Sequence, residues 1–187
     1  MTQQPNAAHA DLDGRHDFDF VFGDWLISNR KVRDPLADAE SEWVEFAASG
    51  TARPIVGGLG NVDSFVALDF PGRGVFEGFS LRLFEAATGL WRIWWASSAG
   101  NGQLDPPVVG RFVDGVGRFE SDDVLGGRPA KVRFDWTDIT ASSARWTQAF
   151  SFDGGRTFVP NWVMEFRRPP GVTQDLRTTL AGDSSRT

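Results

Sequence analysis

The sequence contains no cysteine. Without a thiol the chain cannot form a disulfide, present a thiolate nucleophile, or hold an iron–sulfur cluster or a zinc–thiolate site. Tyrosine is absent as well, which removes the residue type that supplies the nucleophile in sialidases. These two absences exclude several large classes of enzyme and metal site.

Histidine is almost as scarce, because the chain has only His9 and His16. Both precede the first convincing β-strand, so neither is expected in the interior. A Ser–His–Asp triad, a core histidine base, an imidazole metal cluster and a haem held by a wall histidine are therefore unsupported. We predict neither a metal nor a cofactor.

Long apolar runs and net positive charge are also missing. No run approaches the roughly 18 residues of a membrane span. The N-terminus has no basic start followed by an apolar stretch, so no secretory signal is predicted and a cytoplasmic protein is expected. The formal net charge of −6 disfavours nucleic acid or an anionic membrane as a partner.

Phenylalanine and tryptophan are abundant, with 16 and 8 residues among the 187. So many tryptophans must be partly buried, and each buried indole N–H requires an acceptor. Lysine occurs only at positions 31 and 131. We attribute the preference for arginine to codon bias in a GC-rich genome and do not interpret it as anion binding.

The middle of the chain reads as a series of short β-strands separated by Gly, Pro, Asp and Asn. Alternation is clear in several: Val132, Phe134 and Trp136 share one face, and the charged residues between them share the other. The predicted strands lie near 24–33, 41–53, 61–70, 74–84, 90–97, 108–113, 117–124, 130–138, 143–152 and 157–168.

Short hairpin loops, such as 85–89 and 115–117, connect these strands and leave little room for the crossovers of a sandwich. An amphipathic meander must bury its apolar face and both edges, and closure does both. We therefore predict an all-β fold, a closed antiparallel up-and-down barrel of about ten strands over residues 16–168. A short helical turn is predicted within 16–22, and disordered tails over residues 1–15 and 169–187.

The segment Phe22-Gly23-Asp24-Trp25 places a G-x-W motif at the start of the first strand. This arrangement resembles the start of a lipocalin or other calycin barrel, in which the tryptophan plugs the closed end and an arginine from the last strand covers it. The resemblance implies that Trp25 pairs with Arg167, or with Arg168 if the register differs.

The span from His16 to Arg168 also resembles an uncharacterised bacterial domain family of lipocalin-like barrels. The segments that carry this resemblance are HDFDFVFGDW, SLRLFEAATGLWRIWW, RWTQAFSFDGGRTF and NWVMEF. The resemblance implies the fold and brings no established activity. A second motif, Ser151 to Phe158, resembles the Asp box of sialidase-type propellers, and we interpret it as a structural hairpin turn.

Candidate functional residues follow from the alternation. Glu77 shares parity with apolar neighbours on its strand, so it is the candidate catalytic acid or base. Gln148 lies between Trp146 and Phe150, where a buried amide needs a partner. The predicted ligand-binding residues are Trp43, Arg82, Arg92, Trp94, Trp146, Gln148 and Asn161. The inward face of the strands at 41–49 and 90–97 is left open.

Three functions remain open at this point. The first is binding of a small apolar or aromatic molecule in the barrel, because ligand pockets are mostly apolar with a few polar groups. The second is a cofactor-free barrel enzyme, a cyclase, isomerase, hydratase or decarboxylase, that uses a buried carboxylate. The third is a structural or partner-binding domain. A homodimer also remains open, and the long loop 97–107 is the candidate gate at the barrel mouth.

Overall fold

The computed structural model describes residues 14–37, 42–100 and 102–171. It contains ten antiparallel strands in which each pairs with its neighbours in sequence and β1 closes on β10. The strands are β1 (Gly23–Val32), β2 (Trp43–Ile55), β3 (Gly60–Phe70), β4 (Gly74–Glu85), β5 (Leu90–Ser97), β6 (Val108–Val113), β7 (Val116–Leu125), β8 (Arg128–Thr137), β9 (Ser143–Ser151) and β10 (Val159–Arg167). The predicted closed, lipocalin-like barrel is confirmed.

Alternation along the strands separates the lumen from the outer surface, as a pleated strand requires. On β1, Trp25, Ile27 and Asn29 are buried, whereas Leu26 and Arg30 face outwards and are exposed. On β8, Val132 and Trp136 are buried, as the sequence predicts. The core is therefore the inside of the barrel.

The segment before β1 closes one end of the barrel. The short helical turn that the sequence predicts within 16–22 is confirmed as the 3₁₀ turn Asp19–Val21, and a second 3₁₀ turn, Gly14–His16, precedes it. Phe18, between them, is fully buried, and its ring contacts Trp91 edge-on at a centroid distance of 5.0 Å. The Trp25 indole N–H donates to the Val21 carbonyl at 2.7 Å, which ties this plug to β1.

Arg168, and not Arg167, covers Trp25. The Arg168 guanidinium lies 3.7 Å from the indole centroid and donates to the carbonyls of Phe20 and Asp24. Arg167 is directly opposite Leu26 in the β1–β10 register, and both side chains point outwards. The pairing of Trp25 with Arg167 was therefore wrong by one residue, because a shift of one position reverses the face of the strand.

The turn between β9 and β10 confirms the interpretation of residues 151–158 as a structural device. The Asp153 carboxylate accepts hydrogen bonds from the backbone N–H groups of Arg156 and Thr157 and from the Thr157 hydroxyl. The Ser151 hydroxyl donates to the same carboxylate and accepts from the Gly155 N–H. These bonds fix the turn within residues 151–157.

The predicted tails, 1–15 and 169–187, lie almost wholly outside the described residues and stay predictions. Gly14, inside the first predicted tail, already belongs to the barrel end, because its carbonyl accepts the Trp91 indole N–H at 2.9 Å. Among the described residues, no helix is long and apolar enough to cross a membrane.

Candidate functional site

Two adjacent chambers lie in the barrel lumen within the described part of the chain. The inner chamber, above the plugged end, has a volume of about 90 Å³, and the mouth chamber, towards the opposite end, has a volume of about 220 Å³. Six residues line both chambers, and we call them the waist. They are Ile93, Trp95, Asp105, Phe134, Gln148 and Trp162.

Indole rings form much of the inner chamber wall. Trp162 contacts Trp146 and Trp95 edge-on, at centroid distances of 5.9 and 6.4 Å. Phe134 packs edge-on against Trp146 at 4.9 Å. Such contacts hold the rings in fixed positions, so the chamber presents a preorganised aromatic surface. The five tryptophans of this wall are Trp25, Trp95, Trp136, Trp146 and Trp162.

The indole N–H groups of these residues fall into two sets. Trp25 donates to the Val21 carbonyl, and Trp162 donates to the Asn29 side-chain oxygen at 3.0 Å. Within the described part of the chain, the N–H groups of Trp95, Trp136 and Trp146 have no hydrogen-bond acceptor. The inner chamber therefore has a surplus of donors, which an acceptor atom of a bound molecule can satisfy.

An ion pair between the buried Arg82 and the partly buried Asp63 lies at the deep end of the inner chamber. Arg82 is only 4% exposed, its guanidinium contacts the Asp63 carboxylate at 2.6 Å, and it donates to the Asn61 side-chain oxygen at 2.9 Å. Asp63 also accepts the Ser80 backbone N–H at 3.0 Å. The charge of Arg82 is thus compensated by the protein, although the Arg82 Nε–H has no partner among the described residues.

Gln148 and Asn161 form an amide pair, as their predicted positions on neighbouring strands allow. The Gln148 side-chain N–H donates to the Asn161 side-chain oxygen at 2.7 Å. Asn161 lies at the irregularity between Pro160 and Trp162, where the β9–β10 register shifts. Gln148 faces the lumen beside Trp146, as predicted, and lines both chambers. A role for these residues in binding stays a prediction.

Three charged residues of the mouth chamber were not anticipated as site residues. They are Lys31, Asp105 and Asp123. Burial lowers the pKa of Lys31, against a smaller opposing influence of Asp34. Burial also raises the pKa of Asp105, and repulsion from Asp123 adds to that shift. Shifts of this kind in a cavity are typical of functional groups.

The alternation along β1 predicts the inward position of Lys31, although Lys31 was not among the predicted site residues. The residue continues the buried series Trp25, Ile27 and Asn29, so its side chain has to point into the barrel. Asp105 gives no such signal, because it lies in the irregular segment between β5 and β6. Its backbone N–H donates to the Trp95 carbonyl at 2.8 Å, which holds that segment at the waist.

Glu77 lies on the outer face of β4, so its predicted place on a buried face was wrong. The inward series of this strand is Phe76, Gly78, Ser80, Arg82 and Phe84. Both faces of β4 are rich in apolar residues, and parity alone does not choose between them. Gly78 on the inward face leaves room for the Trp95 ring, because a Cβ there would lie 2.3 Å from that ring.

The same outward placement removes three further predicted binding residues from the lumen. Arg92 lies outside and pairs with Glu85 across the hairpin at 3.3 Å. Trp94 is opposite Leu81 on the outer surface, and Trp43 is exposed beside Arg30. Of the predicted ligand-binding residues, the lumen contains Arg82, Trp146 and Gln148, with Asn161 buried behind Gln148.

The closed barrel, the plugged end and the aromatic lumen define the class of protein as lipocalin-like. No protein-family model matches the chain, and no curated protein matches it. Among solved structures, the S-type phycobiliprotein lyase CPES from Guillardia theta is similar, with a TM-score of 0.59 over 89% of this chain and 98% of that chain. At 8% sequence identity, this likeness supports the fold alone.

Proposed function

We propose that the barrel binds a small, flat aromatic molecule that carries hydrogen-bond acceptors. The observation that carries this proposal is the inner chamber, where five indoles form the wall and three of their N–H groups have no acceptor in the described chain. Aromatic rings favour edge and offset contacts with a flat ligand, and an acceptor atom completes the indole donors.

The chamber volumes limit the size of the ligand. Ligand pockets of drug-sized molecules usually measure about 300–1,000 Å³, and each chamber alone is smaller than that. We therefore propose a molecule of one or two rings, with Gln148, which lines both chambers, among its contacts. The likeness to a phycobiliprotein lyase agrees with a barrel that handles small molecules. We also propose that the chain belongs to the bacterial family of lipocalin-like barrels that its sequence resembles.

Tryptophan fluorescence tests the proposal through a matched pair of variants. Trp146→Phe keeps an aromatic ring in the inner chamber and removes one free N–H, whereas Trp94→Phe removes an outer indole. We expect aromatic ketones and carboxylates to quench the wild-type emission. Trp146→Phe should weaken their binding by roughly threefold to tenfold, the value of one hydrogen bond, and Trp94→Phe should leave it unchanged.

Two results of this experiment would contradict the proposed function. If no aromatic class changes the emission, the lumen is not a binding site for such molecules. If Trp146→Phe and Trp94→Phe weaken binding equally, the ligand is not in the inner chamber.

The partly buried carboxylate of Asp63, which is 19% exposed and lines the inner chamber, favours a cofactor-free enzyme as the second function. Asp63 replaces Glu77 as the candidate acid or base, and it lies beside Ser80 and Arg82 in the inner chamber. Such a group can accept a proton from a bound substrate while nearby donors stabilise the developing charge. Asp63→Asn should then abolish turnover of a bound ligand without abolishing binding.

The two chambers weigh against the third hypothesis, because a purely structural domain was expected to have a packed interior.

A further inference from the structure

Lys31 is one of only two lysines in the chain, and it points into the barrel. Its ammonium lies 5.2 Å from the centroid of the Trp162 ring and lines the mouth chamber. Its single hydrogen bond, to the Val32 carbonyl, is long at 3.5 Å. The amine therefore faces a cavity and is only weakly held by the protein.

No carboxylate lies within salt-bridge distance of Lys31 among the described residues. Lys131, by contrast, is on the outer surface and contacts the Asp122 carboxylate at 2.6 Å. The buried cation of the inner chamber, Arg82, is likewise paired with Asp63. A lysine that is desolvated and has no ion-pair partner is the type of amine that proteins use as a nucleophile.

We infer that Lys31 is a nucleophilic amine that captures an aromatic aldehyde in the lumen as an imine. This inference rests on the proposed function, because the aromatic body of the aldehyde occupies the chambers described above. The mouth chamber places the carbonyl carbon beside Nζ, while the ring extends through the waist towards Trp95. The Trp162 ring provides an apolar surface on which the C=N bond can pack.

The chemistry needs no oxidant or reductant. The Nζ lone pair attacks the carbonyl carbon, the π electrons of the C=O bond move to oxygen, and a proton passes from nitrogen to that oxygen. The resulting hydroxyl then leaves with the second nitrogen proton as one molecule of water, and a C=N bond remains. Hydrolysis reverses these steps.

The ionisable groups around Lys31 support both steps of this reaction, the attack by the amine and the loss of water. Burial lowers the pKa of the amine and thereby increases the fraction that is neutral, while Asp34 acts in the opposite direction to a smaller extent. Asp105 and Asp123 line the same chamber. Because the pKa of Asp105 is raised, this carboxyl keeps its proton to a higher pH than an ordinary aspartate and can protonate the leaving hydroxyl.

Reductive trapping tests the inference on the full chain. The protein is incubated with naphthalenecarbaldehyde and sodium cyanoborohydride, and each lysine-containing peptide is quantified by mass spectrometry. Lys131 is an internal control in the same sample, because its bond to Asp122 raises its pKa. We expect labelling of Lys31 to exceed that of Lys131 by at least about twofold below pH 8, because the amine with the lower pKa has the larger neutral fraction.

Variants and pH give further readouts. Lys31→Arg keeps the charge and removes the reactive amine, so it should lose the label, and the matched Lys131→Arg should retain it. If Lys31→Arg does not fold, the wild-type pH series still decides, because the excess of Lys31 labelling over Lys131 should shrink as pH rises. Labelling of Lys131 at an equal or higher rate across the series would overturn the inference.

Naphthalenemethanol, which cannot form an imine, separates this inference from the proposed function. If the alcohol quenches tryptophan fluorescence and Lys31 is not labelled, the inference fails and the proposed function stands. If Lys31 is labelled and the alcohol does not bind, the amine assignment is supported and the proposed function fails. If neither occurs, both fail.

Discussion

Arg168 lies flat on the Trp25 indole and donates to two backbone carbonyls of the barrel end. We predict that Arg168→Ala lowers the free energy of unfolding by about 1–3 kcal/mol, because it removes a cation–π contact and two charged hydrogen bonds. Arg167→Ala, at the exposed neighbouring position, should change it by less than about 0.5 kcal/mol. Urea unfolding of both variants checks this, and equal effects would restore Arg167 as the residue that covers the indole.

Asp63 has a second testable role at the residue scale, as the counter-ion of Arg82. Asp63→Ala leaves a guanidinium that is 4% exposed without its carboxylate, which typically costs about 3–5 kcal/mol. The matched control is Glu165→Gln, because Glu165 pairs with Arg145 at the surface and both side chains are more than 40% exposed. That change should cost less than about 1 kcal/mol. A small effect of Asp63→Ala in denaturant titration would show that Arg82 finds other compensation.

Single residues also show what alternation can and cannot predict. Trp146 and Gln148 were placed correctly because β9 has apolar side chains mainly on one face. Glu77 and Trp43 were misplaced because β4 and β2 carry apolar side chains on both faces, so the outer apolar series is indistinguishable from the inner one. In such strands, side-chain packing determines which face is buried, as where Gly78 lies beneath Trp95. A single sequence contains no direct record of that contact.

At the scale of elements, the turn between β9 and β10 makes the stability of the fold depend on pH. Hydrogen bonds from Thr157, and further bonds from Ser151 and Arg156, hold the pKa of Asp153 well below its ordinary value. A carboxylate with a lowered pKa in the folded state stabilises the fold above its unfolded pKa of roughly 4. This contribution is lost as pH falls from there towards the folded-state pKa.

We therefore predict that the wild-type melting temperature falls more steeply below about pH 4 than that of Asp153→Asn. At neutral pH the variant should melt at a lower temperature, because an amide cannot accept the same set of donors. Asp69→Asn, at an exposed position near the end of β3, is the control and should follow the wild type. Parallel melting curves for wild type and Asp153→Asn across this range would show that the Asp153 network does not contribute.

The strands themselves were predictable as elements, because each is bounded by turn residues and most connections are hairpins. The G-x-W start likewise located the plugged end. The path of the segment between β5 and β6 was not predictable, since no periodicity governs irregular backbone. Consequently the position of Asp105 at the waist emerges only from the structure, although the loop that contains it was recognised as a candidate gate.

At the scale of the whole molecule, closure of the barrel removes the sheet edges and leaves the lumen and the outer surface as the sites of interaction. The outer surface exposes Leu68, Val75 and Phe79 on β3 and β4, at 75%, 61% and 40%. The sequence leaves a homodimer open. Analytical ultracentrifugation across a concentration series checks it, and a single monomeric species at every concentration would contradict it.

We propose that the lumen, and specifically its indole wall, binds an aromatic molecule. The eight tryptophans each give one indole N–H signal in a nitrogen-15 correlation spectrum, so a single titration reports on the inside and outside of the barrel together. We predict that an aromatic acceptor ligand shifts the signals of Trp95, Trp136 and Trp146 most strongly, while those of Trp43 and Trp94 stay in place. A titration that moves only Trp43 and Trp94, or none of the eight, would contradict it.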